Sequence, residues 1–401
     1  MKICFLSTKH TPFDKRVFEK EAKSLLNAGF TVYHLAPFAS DDKPFTRDGV
    51  VIVPLRPVTN IKSRIMHSFG TFRKALQINA DCYHCNEVDS WFIGVLLKIF
   101  FKKLVVFDVH EHYPSNFSES RFPKLLRPLI EFVTRILFQI LLPFTDKLVL
   151  AKKSVAVDFP GSEHKQVLVQ NYSPSCLRNP EQHKSKYTEE RIKIVHLGLF
   201  SKIRGWPQFL DALEILKNEG LSRPLEINII GEINDGSQAE FIARSESLGG
   251  NVEVNLYEWM PYDRAFSLLT ESHIGVILFQ PGPKNHTHSF PHKLFDYMRA
   301  GMAVVAPSFA VEVSEIVSRE NCGVLVDPAN PQSVADALKN LLSSNVLCMK
   351  LGQNGQEAIQ QRLNWDQESK KLIFMYHDLT NPKNKKSQSR SVDEDHVSCA
   401  A

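Results

Sequence analysis

Short runs of β-branched and aromatic residues alternate with helical patterns along the first half of this chain, and the alternation starts again in the second half. In the first half, the runs predict strands at residues 3–7, 31–36, 50–54, 82–84, 104–108, 147–151 and 166–170. A helix is predicted over residues 15–28, and Gly29 is well placed to end it. Strands that alternate with helices predict a parallel sheet wrapped by helices, which is an α/β fold.

The second half repeats this pattern. Strands are predicted at residues 192–197, 225–230, 252–256, 274–279, 302–306 and 323–326, with a helix over 206–219. Between the halves, Pro174, Pro180 and the polar run 181–190 predict an interdomain linker. Two such units in series predict a cleft between them, because parallel sheets bind ligands at the carboxyl ends of their strands.

We therefore predict two Rossmann-like, doubly wound domains facing across a cleft, at residues 1–180 and 181–362. A helix over residues 363–380, which contains Trp365, is predicted to pack back toward the first domain. From residue 381 onward the chain is polar and offers no core residues, which predicts a disordered tail over 381–401.

Composition excludes several classes of protein. The 401 residues are 43% hydrophobic and 23% charged, which is typical of a globular protein of two domains. The net charge of +4 is too small to argue for nucleic-acid binding. Seven cysteines without regular spacing, and a start that leads directly into a strand, predict a protein of the cytoplasm.

Residues 129–144 form the most apolar helical pattern of the chain, and Glu131, Arg135 and Gln139 recur in it at every fourth position. That spacing predicts a helix with one polar stripe, too short and too polar to cross a bilayer. One interpretation is a core helix of the first domain. The other is a helix lying on the membrane surface, with Arg121, Lys124 and Arg127 meeting anionic headgroups.

The loop after the first strand of the second domain reads Gly-Leu-Phe-Ser-Lys-Ile-Arg-Gly over residues 198–205. Two glycines, Lys202, Arg204 and the start of a helix suit a diphosphate, because backbone amides and a guanidinium can share its charge. Arg204 is the predicted clamp, since it directly precedes the helix. The alternative is an exposed basic turn.

Residues 107–114 read Phe-Asp-Val-His-Glu-His-Tyr-Pro and directly follow a predicted buried strand. Four ionisable groups at the end of a strand are more than a structural turn needs. His110 is predicted to face a ligand, because it is the first ionisable residue after the strand, and Glu111 lies beside it. Asp108 is predicted to orient its neighbours. A metal site formed by His110, Glu111 and His112 is the less favoured alternative, because adjacent side chains point in different directions.

A third motif covers residues 286–301. Ser289 is predicted to cap a helix that opens near Pro291, and Gly301 is predicted to end it. Asp296 lies within this helix, where a carboxylate can accept two hydrogen bonds from the vicinal diol of a ribose. Lys293 could pair with Asp296, neutralise phosphate or lie on a solvated helix face, and His288 stands at the entrance of the loop.

Several common motifs are absent from the sequence. No G-x-G-x-x-G follows the first strand, and neither a Walker motif nor a G-x-S-x-G elbow occurs. The sequence therefore lacks the main motif expected of a dehydrogenase, a P-loop NTPase or a serine hydrolase. No D-x-D motif follows a strand, so no metal and no cofactor is predicted to be required.

Five segments together resemble the family 4 retaining glycosyltransferases of the GT-B fold, over roughly residues 1–345. They are F-D-K-R-V-F-E-K-E-A-K-S-L-L-N-A-G-F-T-V (13–32), A-D-C-Y-H-C-N-E-V-D (80–89), V-F-D-V-H-E-H-Y-P (106–114), the two-glycine loop (198–205) and F-P-H-K-L-F-D-Y-M-R-A-G (290–301). Each segment alone is weak evidence for this resemblance. All five segments in the order that the family shows are specific evidence for it.

The resemblance implies that the first domain binds the acceptor and the second a nucleotide-diphosphate sugar. It places Arg204 on the donor diphosphate, Asp296 on the ribose and His110 in the donor-sugar pocket, so His110 and Arg204 are the catalytic candidates. The substrate-binding candidates are Arg16, Glu111, Lys202, Gly205, His288, Lys293 and Asp296. The implied reaction needs no enzymic nucleophile, because the leaving diphosphate is stabilised on the face that the acceptor attacks.

Three positions depart from the family's pattern, which affects specificity. Asp296 stands where the family often has Glu, and His288 stands where it often has a second acidic residue. Leu199 also replaces a basic residue often found beside the first glycine, which leaves Lys202 as a possible substitute.

The resulting hypothesis is a metal-independent hexosyltransferase that makes a cell-surface polysaccharide or glycoconjugate. Its acceptor would be a glycan or a lipid-linked molecule, in the cytoplasm or at the inner face of the cytoplasmic membrane. A nucleotide-sugar 2-epimerase of the same architecture, or a nucleotide-binding scaffold with weak catalysis, are the alternatives.

Overall fold

The computed structural model describes residues 1–38, 43–56, 61–175, 186–221 and 223–380. Residues 181–185 of the predicted linker and the predicted tail at 381–401 lie outside the described residues. The chain divides into two compact units. The first comprises Met1–Asn171 together with the chain from Asp366 onward, and the second comprises Tyr172–Trp365.

The first unit is built on an eight-stranded sheet with the strand order β3-β4-β2-β1-β5-β6-β7-β8. Its strands are β1 (Lys2–Leu6), β2 (Thr31–Pro37), β3 (Phe45–Arg47), β4 (Val50–Leu55), β5 (Cys82–Cys85), β6 (Leu104–Val109), β7 (Lys147–Leu150) and β8 (Gln166–Leu168). All pairs are parallel except β3 with β4. Seven strands follow the predicted alternation, whereas the short edge strand β3 was not predicted.

The helices of the first unit cover both faces of this sheet. They are α1 (Lys23–Asn27), α2 (Ile61–Ile78), α3 (Val88–Phe101), α4 (Tyr113–Arg121) and α5 (Arg127–Leu141), and a π-helical segment over Val17–Ala22 leads into α1. The connections that contain α2, α3 and α5 all run in one direction across the sheet. Right-handed crossovers therefore place these three helices on the same face.

The core of the first unit is rich in aromatic rings. Trp91 of α3 stacks on Phe107 of β6 with ring centroids 4.2 Å apart, and its indole nitrogen donates to Thr145 Oγ1 at 2.8 Å. Gly94 allows this close packing, because a Cβ there would lie 2.6 Å from the Cys85 sulfur. Helix α3 therefore packs closely on β5 and β6, and this packing holds the carboxyl ends of the strands in place.

The second unit contains a six-stranded parallel sheet with the order β11-β10-β9-β12-β13-β14. Its strands are β9 (Ile192–Leu197), β10 (Leu225–Ile230), β11 (Val252–Tyr257), β12 (Ile274–Val276), β13 (Ala303–Pro307) and β14 (Gly323–Val326). All six follow the predicted positions. The predicted α/β fold with two parallel-sheet domains is therefore confirmed.

Eight helices of the second unit are described. They are α6 (Trp206–Glu219), α7 (Gln238–Leu248), α8 (Tyr262–Glu271), α9 (Lys284–Thr287), α10 (His292–Arg299), α11 (Val311–Glu320), α12 (Pro331–Leu342) and α13 (Asn345–Gln361). Gly275 in β12 leaves room for the ring of Tyr297, because a Cβ on this glycine would lie 2.4 Å from that ring. The Tyr297 hydroxyl in turn accepts a hydrogen bond from the backbone N–H of Leu197 at 2.8 Å. This bond joins α10 to the end of β9.

The last helix, α14 (Trp365–Thr380), packs on the first unit. Tyr376 of α14 is fully buried, and its hydroxyl lies 2.7 Å from His84 Nδ1 of β5. Phe30 adds ring contacts with Tyr376 and His377 at centroid distances of 5.9 and 5.1 Å. The final turns of the described chain therefore complete the core of the first unit.

Helix α5 differs from an ordinary core helix. Only Phe138 and Leu141 among its residues are buried. Its exposed apolar residues are Leu129, Phe132, Val133, Ile136, Leu137 and Ile140, with exposed fractions between 40% and 61%. The core-helix interpretation therefore fails, because most of the apolar side chains of α5 face away from the sheet. Within the described residues, none of the helices combines the length and apolarity that a membrane span requires.

Candidate active-site residues

In the second unit, the loop after β9 has a backbone that only glycine adopts easily. Gly198 and Gly205 have φ angles of 90° and 89°, and α6 begins directly after Gly205. A Cβ on Gly205 would lie 2.1 Å from the carbonyl oxygen of Leu278. The loop also packs against Gln280, whose backbone N–H donates to Ile203 O at 2.8 Å. Glycine at 205 is therefore required by φ and by a close backbone approach.

Arg204 and Lys293 form a cationic pair at this loop. The side chain of Lys293 approaches Gly198, and its Nζ lies 2.9 Å from His196 Nε2. Burial, together with the charge of Arg204, lowers the pKa of Lys293 well below its usual value. Burial also lowers the pKa of Arg204. Among the described residues, no carboxylate forms an ion pair with either cation, so the pair offers uncompensated positive charge to an anion.

Lys293 thus does not lie on a solvated helix face, which was one of its predicted alternatives. Lys202, by contrast, points away from the cationic pair. Its Nζ binds Glu240 at 2.6 Å, and both side chains are about half exposed. Donor contact by Lys202 stays a prediction that this conformation does not favour.

Asp296 lies in α10, one turn after Lys293, and is 2% exposed. Its Oδ1 accepts hydrogen bonds from Ser173 Oγ at 2.9 Å and from the Tyr262 hydroxyl at 2.6 Å. Burial and the charge of Asp296 raise the pKa of Tyr262, which keeps this hydroxyl a donor. Both bonds go to one carboxylate oxygen, which leaves Oδ2 for another donor.

The start of α10 differs from the prediction. The residue before the helix is Pro291, with φ −76° and ψ 134°, and no side chain caps the first turn. The predicted capping role of Ser289 is therefore wrong, because the helix begins two residues too late for its hydroxyl. Gly301 follows the helix with φ 65°, as predicted.

His288 faces a carboxylate that sequence reasoning missed. Its Nδ1 lies 3.6 Å from Oε2 of Glu312, which belongs to the first turn of α11 and is 8% exposed. The two residues lie in the segments that follow the neighbouring strands β12 and β13. Nothing in the local sequence marks Glu312, since the pairing depends on strand order.

In the first unit, His110 follows β6 and is held by Asp108. His110 Nε2 and Asp108 Oδ2 are 2.5 Å apart, and Asp108 is fully buried. Burial would raise the pKa of Asp108, but the charges of Arg16 and His110 hold it well below its usual value. The predicted orienting contact of Asp108 is thus present in the structure.

Arg16, predicted to bind substrate, lies behind this pair and is 4% exposed. Its guanidinium donates to both Asp108 oxygens at 2.9 and 3.1 Å and to Val169 O at 3.1 Å, and it pairs with Glu21 at 3.0 Å. Every nitrogen of Arg16 has a protein partner. The structure therefore places Arg16 where it acts through Asp108, and a direct substrate contact would break these bonds.

Glu21, His84 and Asp108 are the buried residues of the described chain whose atoms are close enough together to hold a metal ion. The guanidinium of Arg16 already pairs with both carboxylates of this cluster. Burial raises the pKa of Glu21 well above its usual value and lowers the pKa of His84. The oxygen and nitrogen atoms of this cluster therefore fit the guanidinium of Arg16 better than a metal ion.

A pocket of about 470 Å³ lies in the first unit beside His110. His10 lines it as well, and its Nδ1 binds Glu87 Oε1 at 2.7 Å. Burial would lower the pKa of His10, but the hydrogen bond and charge of Glu87 raise it above its usual value. Glu111 also lines the pocket and accepts a hydrogen bond from Asn116. Sequence reasoning missed His10 and Glu87, because their contact spans 77 residues.

The structure thus brings together Arg204, Gly205 and Lys293 in the second unit. In the first unit it brings together His110 and Glu111 at the pocket. Two histidine–carboxylate pairs, His10 with Glu87 and His110 with Asp108, line or support one cavity.

Residues 178–358 match the protein family described as Glycosyl transferases group 1. The match covers nearly all of the second unit, including the loop after β9 and helix α10. No curated protein matches the chain in sequence.

Solved structures share the fold over almost the whole chain. The sucrose-phosphate synthase of Thermosynechococcus elongatus is 14% identical, has a TM-score of 0.74, and the alignment covers 94% of this chain and 99% of that one. HepE of Anabaena in complex with UDP is 14% identical, with a TM-score of 0.69 and coverage of 94% and 100%. WaaG, a glycosyltransferase involved in lipopolysaccharide biosynthesis, is 13% identical, with a TM-score of 0.63 and coverage of 94% and 99%.

Identities of this size establish the architecture and leave function to the site. The architecture is that of the GT-B fold, as predicted. Together with the family match over the second unit, the comparisons support a glycosyltransferase.

Proposed function

We propose that the protein is a retaining hexosyltransferase that moves a sugar from a nucleotide-diphosphate sugar to a glycan or lipid-linked acceptor of a cell-surface glycoconjugate. The observation that carries this proposal is the cationic pair of Arg204 and Lys293, which stands at the end of β9 without a counter-charge among the described residues. A diphosphate supplies the missing charge, and the amides at the start of α6 add donors.

The leaving diphosphate is the group whose charge grows during transfer. Arg204 and Lys293 stabilise it, and Oδ2 of Asp296 is free to bind a ribose hydroxyl. Because two protein cations neutralise the diphosphate, no metal is required, and activity should survive EDTA. HepE has been solved with UDP-glucose, which supports a uridine donor as the first to test.

The experiment offers purified protein UDP-, GDP- and dTDP-sugars, with and without a membrane lipid extract, and measures the release of free nucleotide diphosphate. Release that depends on the extract is expected. The anomeric configuration of the product, read from its proton coupling constant, tests retention. Conversion of the sugar without release would instead indicate the epimerase, and binding without either reaction would indicate the scaffold.

We also propose that the first unit contacts the membrane surface through the sheet face that carries α2, α3 and α5. Besides the apolar residues of α5, the exposed large apolar residues on this face are Phe69, Phe92, Ile99, Phe100 and Phe101. An apolar surface of this extent is unusual on a protein that stays in water. Lys124 at the start of α5 is exposed, whereas Arg127 donates to Phe122 O and Glu119 O. The side chain of Arg121 lies outside the described residues.

Vesicle flotation tests the membrane proposal. The double variant Phe132→Ser/Ile136→Ser should lose flotation with vesicles that contain anionic lipid, because it removes two exposed apolar side chains from α5. The control Val346→Ser removes a side chain that is 70% exposed in the second unit, and it should float like wild type. Equal flotation of all three proteins would refute this surface.

A further inference from the structure

The pocket of the first unit has two chemically different ends. The loop after β1, the start of α3 and the loop after β6 form one end, with His10, Glu87 and His110. Helices α4 and α5 form the other, with Phe117 and Leu137. One cavity of about 470 Å³ therefore joins a polar site to the exposed helix α5.

The polar end suits the hydroxyl groups of a sugar. The rings of His10 and His110 are tilted toward each other with centroids 5.3 Å apart. Each imidazole uses one nitrogen for a carboxylate, His10 Nδ1 for Glu87 and His110 Nε2 for Asp108. The second nitrogen of each ring remains to donate to or accept from a ligand. A hydroxyl both donates and accepts, so it can bind such an imidazole in either of its protonation states.

The apolar end continues onto the surface. Phe117 and Leu137 line the pocket and are nevertheless 41% and 40% exposed. Leu137 lies one helical turn from Val133 and one residue from Ile136, which belong to the exposed apolar stripe of α5. A ligand that extends from His110 past Leu137 would thus pass from polar to apolar surroundings.

We propose that this pocket binds an acceptor in which a sugar is joined to a lipid chain. The sugar lies between His10 and His110, and the chain leaves along Phe117 and Leu137 onto the apolar face of α5. A free glycan would leave these two apolar side chains in contact with water. Turnover of such an acceptor rests on the proposed function, but its binding does not.

Binding of alkyl β-glucosides tests the proposal without any donor. Methyl, butyl, hexyl and octyl glucoside, each below its micelle concentration, are titrated into the full-length protein and followed by calorimetry. Affinity should rise about three- to fourfold for each methylene group that the pocket covers. Phe117→Ser and Leu137→Ser should flatten this dependence on chain length. Both side chains are partly exposed, so the variants should fold.

Two matched variants separate the pocket from unspecific adsorption. Phe100→Ser removes an apolar side chain that is 68% exposed on α3 and does not line the pocket, so it should keep the chain-length dependence. His10→Gln should weaken all glucosides by a similar factor. Wild-type affinity that does not change with chain length, or equal losses in Phe100→Ser and Leu137→Ser, would overturn the proposal. Glucoside binding without binding of any nucleotide sugar would contradict the proposed function alone.

Discussion

Single residues decide the charge of the candidate donor site. Arg204 and Lys293 were both predicted from the sequence, because a basic residue beside a glycine loop or within a helix that opens at a strand end indicates phosphate. His10, Glu87 and Glu312 could not be predicted, since their contacts depend on which strands are neighbours. Arg16 was predicted from the sequence to bind substrate, but the structure buries its side chain against Asp108.

Arg204→Ala should lower the affinity for the nucleotide diphosphate by about 10- to 100-fold, because it removes a charge-assisted hydrogen bond from a partly buried site. Calorimetry with UDP or GDP measures the loss. Lys202→Ala is the matched control on the same loop, and its affinity should stay within about twofold of wild type, because Lys202 pairs with Glu240. Equal losses in both variants would contradict the assignment of the clamp.

The lowered pKa of Lys293 predicts that the protein takes up protons when it binds the donor. Burial and the charge of Arg204 hold the pKa of Lys293 well below its usual value in the free protein, so part of it is neutral at alkaline pH. A bound diphosphate favours the charged form and raises this pKa, so binding takes up protons and weakens as pH rises. Calorimetry at pH 8 in buffers of different ionisation enthalpy measures the uptake. Unchanged uptake in Lys293→Met would refute the assignment.

At the scale of elements, local patterns predicted most strands correctly, and three of them, β9, β10 and β14, match to the residue. The exposure of α5 was not decided by its pattern. An apolar helix with one polar stripe fits a buried site and a membrane surface equally well. Only the position of α5 relative to the sheet shows which of its sides is covered.

Gly205→Ala should abolish donor binding, because the new Cβ would meet Leu278 O at 2.1 Å and displace the loop from the segment that follows β12. Gly220→Ala is the matched control. Gly220 has a φ of 90°, close to that of Gly205, but no atom lies within 4 Å of the position that its Cβ would take. The control substitution should therefore cost about 1–3 kcal/mol of stability through backbone strain alone and leave donor affinity unchanged. Nucleotide titration and thermal unfolding of both variants measure these effects.

At the scale of the whole molecule, the chain returns to its first unit at the end. Tyr376 of α14 closes a buried chain of contacts that runs through His84 to Asp108, 3.8 Å from His84 Nε2, and on to His110. Removal of this helix therefore affects the surroundings of a catalytic candidate as well as the core. The helical pattern of residues 363–380 predicted the element, but its bond to His84 spans 292 residues.

Tyr376→Ala should destabilise the first unit by about 3–5 kcal/mol, because it leaves a cavity and removes the partner of His84. Phe374→Ala is the control on the same helix, since Phe374 is 74% exposed, and it should change stability by less than about 0.5 kcal/mol. Denaturant unfolding of both variants distinguishes the two effects. Similar stabilities would show that α14 adds little to the first unit.

The sequence by itself determined most of the secondary structure, the division into two α/β halves and the glycine and basic residues of the loop after β9. These depend on periodicity and backbone conformation, which are local properties of the chain. The tertiary structure decided which side chains meet: His110 with Asp108 and Arg16, His10 with Glu87, and His288 with Glu312. It also decided that the apolar side of α5 is exposed, because burial depends on the packing of distant segments and no local pattern encodes it.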